Sequence, residues 1–174
     1  MQEILFHTAT ENDASEMRKL LEEHGPNKWN YLPEEYVKKE FKDVVEEKAI
    51  ALIAEFDNQI VGFAVMYPEF NRFPEYTDSE IPKENIGYIS DVVVHKEHAG
   101  KGIGTNLIEN TKIALAKYGI TEIYIDCHEE NTASRGMARK ARFEEIALYL
   151  DVERRTVGSC KTWVGRYCMR LSRS

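Results

Sequence analysis

The stretch YISDVVVHKEHAGKGIGTNLIENTKIALAK, Tyr88 to Lys117, decides the fold. Ile89, Val92, Val93 and Val94 are β-branched, with Gly87 before them and the polar residues His95 to His98 after, and so predict a buried strand. From Ile103 onward, Leu107, Ile108, Thr111, Ala114, Leu115 and Tyr118 recur at helical spacing with charges between them, and Gly119 supplies a stop signal. The period of the pattern thus changes from strand to helix across Gly100, Gly102 and Gly104.

Without a Cβ, these three positions let the backbone turn tightly and let a ligand approach its N–H groups. Those groups are also the unpaired donors of the helix's first turn, where the macrodipole adds partial positive charge. A phosphate or pyrophosphate is the expected ligand, and Lys101 adds a full charge beside it. Three families build such a loop. A nucleotide triphosphatase loop needs Lys then Ser or Thr after its last Gly, whereas Gly104 is followed by Thr105 and Asn106. The dinucleotide fingerprint comes closer, with Gly102, Gly104 and Asp126 as a ribose-binding acid, but Leu107 stands where its third Gly belongs. His95 to Ala99 also separate strand from glycines, and too little chain follows to complete a doubly wound sheet.

A strand, a short polar connection and GKGIG opening a long helix resemble the GNAT superfamily of acyl-coenzyme A-dependent N-acetyltransferases. That family usually has Arg or Gln before the first Gly, where this chain has Ala99. A second resemblance lies in NTASRGMARKARF, where Asn131, Ser134, Met137, Lys140 and Phe143 fit the family pattern while Ala138 replaces a Tyr and Arg142 a Gly. In element order the resemblance covers nearly the whole chain. It implies an α/β fold: a mixed, mostly antiparallel sheet of about seven strands, a central splayed parallel pair and flanking helices. It also implies acetyl-CoA as cosubstrate, with its pyrophosphate on Ala99, Gly100, Lys101, Gly102, Ile103, Gly104 and Thr105. Val92, Val93 and Val94 on the splayed strand, Asn131 against the pantetheine amides, and Lys140 complete the implied cofactor residues.

At 174 residues and 43% apolar, the chain suits a single domain, 1–174, with its own core. A net charge of −7 gives no basic footprint, so neither nucleic acid nor an anionic membrane is an expected partner and the phosphate site must be local. No apolar run approaches a membrane span, and Met1 to Thr10 lacks the basic and apolar regions of a signal peptide, so a cytoplasmic protein is expected. Cys127, Cys160 and Cys168 read as free thiols.

In chain order, Gln2 to Thr8 predicts a first strand and Thr10 with Asp13 a helix start, with Ala14, Met17, Leu20 and Leu21 on the buried stripe. Gly25-Pro26 ends that helix, and Pro33 opens a second with Tyr36, Val37, Phe41, Val44 and Val45 on one face. Trp29 and Tyr31 before it read as core residues, with pocket lining as the alternative. Ala49 to Phe56 and Gln59 to Tyr67 predict a hairpin turning at Asp57-Asn58. Glu69 to Asn85 is a long acidic loop, either a solvated charge run or a lid that recruits an amine. A short strand over Glu122 to Cys127, reached by a right-handed crossover, should lie parallel to Ile86 to Val94; the resemblance implies a pantetheine slot where the two part. A helix over Asn131 to Ala141 and two closing strands, Phe143 to Val152 and Thr156 to Leu171, complete the chain.

Acetyl transfer to an amine needs a base, because a primary amine is mostly protonated at neutral pH. Asp91 on the central strand is the candidate, an ordinary strand-face Asp being the plain alternative, and Glu129 and Glu130 are alternative bases. A backbone N–H of Val93 or Val92 would stabilise the oxyanion. Since Ala138 holds no hydroxyl, Tyr149 is the candidate acid, with the amine adduct or water as the other proton source. No base is legible beside Cys127, which reads as an inert thiol, and His95 and His98 read as solvent-facing. The expected acceptor is a small, cationic primary amine in a ternary complex, with a homodimer left open. The competing class is a coenzyme A-binding sensor that has lost turnover.

Overall fold

The computed structural model describes residues 3–69 and 80–169. The strands are β1 (Leu5–Thr8), β2 (Ile50–Phe56), β3 (Gln59–Tyr67), β4 (Ile86–Val94), β5 (Glu122–His128), β6 (Glu144–Leu150) and β7 (Lys161–Cys168). The helices are α1 (Ala14–His24), α2 (Glu34–Val45), α3 (Ile103–Ala116) and α4 (Thr132–Lys140). One sheet runs in the order β1-β2-β3-β4-β5-β7-β6, and only the β4–β5 pair is parallel. The expected mixed sheet with a central parallel pair is the observed one.

Both faces of the sheet are covered, which is why β3 reads as a continuous apolar run rather than an alternating one. Ala64 and Met66 face a cluster with Leu107, Ile108 and Leu115 of α3. Phe63 and Val65 point the other way, into Met17, Leu20, Leu21, Val37 and Phe41 of α1 and α2. Asp57 and Asn58, at φ 52° and 59°, supply the left-handed pair that a two-residue hairpin turn requires. At the first helix the Thr10 N–H donates to Asp13 Oδ2 at 2.7 Å, the reciprocal contact expected of a capping pair, although one 3-10 turn, Glu11–Asp13, precedes α1.

One expectation about packing on α2 is corrected. Val45 is 54% exposed, because the inward stripe of α2 runs through Val37, Glu40 and Phe41, and a residue eight positions past Val37 has rotated away. Glu40 occupies a core position with no exposed surface, its carboxylate accepting from the Ser90 hydroxyl. The closing strands are also shorter than expected. The Asp151 carboxylate accepts from the Arg154 N–H at 3.3 Å and the Thr162 hydroxyl at 2.8 Å, holding the chain between β6 and β7 in a loop. In the acidic segment, residues 70–79 lie outside the described residues, as does the lid reading that depends on them.

What positions the site is the way β4 leaves its neighbours. Asp91 pairs with Val65 and Ile89 with Met66, so Ser90 is an extra residue, a bulge that bends the strand. On its other edge β4 pairs with β5 only from Ile86↔Glu122 to Ile89↔Ile125. Past that point β5 continues against β7, through His128↔Thr162, and the parallel pair opens.

Candidate active site

A cavity of about 380 Å³ lies where β4 and β5 part. Ser90, Asp91 and Val92 to Val94 line it from β4, Asp126 and Cys127 from β5, and Asn131, Ser134 and Ala138 from the start and buried side of α4. Tyr31 and Tyr36 close it from the α1–α2 side; neither Trp29 nor Tyr31 is buried in the core as expected, and of the pair only Tyr31, 43% exposed, lines the cavity. The His95 N–H donates to Val61 O at 2.8 Å. Because amide directions alternate along a strand, the N–H groups of Val94 and Val92 point away from β3, toward the edge from which β5 has withdrawn. The same alternation turns Val93 toward β3.

β4 runs directly into the glycine loop. Ala99 is extended and exposed; Gly100 and Gly102 have φ of +76° and +79°, a conformation that favours glycine, and a Cβ on either would meet nothing within 4 Å. Space for a ligand therefore lies over these two positions. Gly104 does a different job: it is buried in the first turn of α3, where a Cβ would meet Met137 Sδ of α4 at 2.3 Å. Ile103 is buried and Thr105 half-buried beside it, while Lys101 is exposed. No side chain caps the α3 N-terminus and no acid stands in its first turn. The orphan N–H groups and the open glycines together make an anion cradle.

The remaining sequence candidates separate clearly. Asn131 is buried and its side chain accepts from the Ser134 N–H at 3.1 Å, so it caps α4 while facing the cavity. Lys140 is exposed in the last turn of α4, away from the cavity lining. The Tyr149 hydroxyl accepts from Arg154 Nη2 at 3.1 Å and stands outside the lining residues. Glu130 binds the Ser159 N–H at 3.1 Å, and neither it nor Glu129 lines the cavity. Cys127 does line it, but burial, helped by Asp126, pushes its thiol up to about 12. His95 and His98 are half-buried rather than solvent-facing: His95 stacks on His24 at 3.9 Å and His98 packs on Phe56 at 5.6 Å. No metal-binding group of His, Cys, Asp or Glu occurs among the described residues.

Sequence reasoning missed a polar wall. Asp126, considered above only as a ribose-binding acid, accepts from the Tyr88 hydroxyl at 2.9 Å and from Arg154 Nη2 at 3.0 Å. Arg154 also donates through Nε to Asp151 at 2.9 Å. Burial, then Asp126, raises the Tyr88 hydroxyl far above its ordinary range, so it stays protonated. The one available signal was the Arg154-Arg155 pair standing between two strands in an acidic chain.

The model of the acetyltransferase (GNAT) family matches residues 14–143. The chain belongs to the GNAT family. The family uses acetyl-CoA, and the residues present fit that group: an uncapped helix start, two open glycines and a slot leading past Val92 to Val94. The chain is 30% identical over 66 residues to glucosamine 6-phosphate N-acetyltransferase 1 of Dictyostelium discoideum, a match covering 38% of this chain and 40% of that one. It is 34% identical over 58 residues to the chloroplastic GCN5-related N-acetyltransferase 7 of Arabidopsis thaliana, covering 33% of this chain and 21% of that one. These matches thus span well under half of the curated relatives. A Salmonella typhimurium acetyltransferase, solved with its cofactor acetyl-CoA, superposes with a TM-score of 0.72 at 13% identity, covering 98% of this chain and 96% of that one.

Proposed function

We propose that the chain transfers the acetyl group of acetyl-CoA to the primary amine of a small acceptor, in one ternary complex. The observation that carries this reading is the opening of β4 from β5 at the Ser90 bulge, which puts a carboxylate and outward-pointing amides into one cavity beside the anion cradle. Gly100 to Thr105 bind the pyrophosphate through backbone N–H groups, and Asn131 meets the pantetheine arm.

Asp91 attracts the protonated amine and takes its proton, directly or through water. The two effects oppose each other, since a carboxylate that stabilises the ammonium also makes it harder to deprotonate, and a base in place resolves the conflict. The freed nitrogen attacks the acetyl carbonyl carbon, and the Val92 N–H donates to the oxygen on which negative charge gathers. As the carbon–sulfur bond breaks, the second amine proton passes to the departing sulfur, so no tyrosine acid is required at Ala138. Cys127 carries no acyl group, because a thiol held near 12 is almost wholly protonated at neutral pH.

A second reading, a coenzyme A-binding domain without turnover, draws on one observation: Ala138 is 1% exposed and leaves no hydroxyl at that side of the cavity. Mixing the protein with acetyl-CoA and a panel of amines while following free thiol separates the two. Acceptor-dependent thiol release supports transfer; coenzyme A binding without it supports the sensor.

A further inference from the structure

Arg155 is 6% exposed and lines the cavity, yet its guanidinium is only partly matched. Among the described residues its Nε donates to Thr162 Oγ1 at 2.9 Å, while its terminal Nη2 comes no nearer than 4.0 Å to Asp126 Oδ1, beyond hydrogen-bond reach. That oxygen already accepts from the Tyr88 hydroxyl at 2.9 Å, and the other Asp126 oxygen accepts from Arg154 at 3.0 Å. Asp151 is likewise committed, to Arg154 at 2.9 Å and to the Thr162 hydroxyl at 2.8 Å. Arg154 is therefore hydrogen-bonded to both carboxylates, whereas Arg155 shares only a long ion pair with Asp126 and keeps its terminal nitrogens without a hydrogen bond among the described residues.

The unused donors open onto the cavity, where a ligand can complete the shell of the guanidinium. The planar fork of a guanidinium suits a two-oxygen anion, and Thr162, fully buried, fixes the plane by holding Nε. We propose that Arg155 binds an anionic group, carboxylate or phosphate, on the acceptor itself. The acceptor is then a zwitterion whose amine reaches Asp91 while its anion rests on Arg155. This rests on the acetyl-transfer reading and goes beyond it by naming the acceptor class. It also restricts the expectation of a simply cationic amine.

The test compares matched acceptors on the wild-type protein: α-amino acids against the amines left by their decarboxylation, and O-phosphoethanolamine against ethanolamine, with free thiol as readout. The expected result is a kcat/KM about 10–100-fold higher for the anion-bearing member of a pair, the range for a charge-assisted hydrogen bond. Which pair shows it distinguishes carboxylate from phosphate. Arg155→Met should bring that ratio to near one while leaving the anion-free amine within a few-fold of wild type, and Arg155→Lys should restore part of it. Equal kcat/KM within every pair, or the same ratio in wild type and in a folded Arg155→Met, overturns the proposal. If no acceptor releases thiol, acetyl transfer fails, and the subsite is judged separately by titrating inorganic phosphate and acetate, each in turn, into coenzyme A-loaded protein. Binding of either anion lost in Arg155→Met and partly kept in Arg155→Lys supports it; no binding of either at millimolar concentration, or binding unchanged in Arg155→Met, ends it.

Discussion

At the scale of single residues, the cavity wall holds a thiol and a phenol, Cys127 and Tyr88, that stay protonated at neutral pH. Cys127, held near 12 mainly by burial, should react slowly with iodoacetamide at pH 8, and Cys127→Ala should keep acetyl transfer within a few-fold of wild type. Loss of most activity in a folded Cys127→Ala would reopen the acyl-cysteine route. Asp91→Asn should lower turnover by about 10²–10⁴ and remove the acidic limb of the pH–rate profile, whereas a wild-type profile would reject Asp91 as base. Asp91 was legible in the sequence because one strand carries both the β-branched run and the acid, and strand plus family resemblance gave its position. Arg155 was not legible. Its meaning depends on Asp126 and Asp151 being already taken by Arg154, a contest among residues that no local pattern encodes. Glu40 was illegible for a related reason: a charged residue at an inward helix position looks like a surface residue until Ser90 is found beside it.

At the scale of elements, the loop before α3 and the start of α4 carry separable predictions. Gly102→Asp would put a side chain and a negative charge into the open space over the cradle at φ +79°. Coenzyme A affinity should fall sharply by calorimetry, and an unchanged affinity would place the pyrophosphate elsewhere. Asn131→Asp keeps the oxygen that caps α4 but loses the amide donor, so stability should hold while coenzyme A binding weakens. Asn131→Ala should cost about 0.5–2 kcal/mol of stability besides. Normal coenzyme A binding by Asn131→Asp would reduce the residue to its capping role. The glycine turn and α3 were readable because backbone conformation and helical period are local properties. The Ser90 bulge was not, since it exists only in the register between β4 and β3. The end of β6 escaped for the same reason, being fixed by hydrogen bonds from Arg154 and Thr162 to Asp151.

At the scale of the whole molecule, the ionisation pattern predicts weakening on acidification in two stages. Burial, with His95 adding, lowers the pKa of His24, and burial, with Lys101 adding, lowers that of His98. A lowered histidine pKa means that the unfolded chain takes up the proton first, so stability is full above the unfolded value of about 6.5 and falls as pH drops toward the folded value. His7, raised by its hydrogen bond to Glu55, works the other way but is substantially exposed, so its contribution is small. For Asp151, burial pushes the pKa up, but the Thr162 hydrogen bond and Arg154 outweigh it and leave it lowered. Its contribution is present above about 3.9 and is lost as pH falls through the folded value. Denaturant midpoints should therefore decline modestly below about pH 6.5 and again below about pH 4. Midpoints that rise across the upper window would contradict the histidine part. The sheet order followed from element order and the family resemblance, while the packing of helices on both faces is what makes the apolar runs continuous. Most directly decisive for the function is the coupled assay of acetyl-CoA with matched amine acceptors, read by free thiol and by product mass. Acetyl transfer predicts acceptor-dependent thiol release matched one for one by N-acetylated product and suppressed in Asp91→Asn; coenzyme A binding with no thiol released by any amine would contradict it.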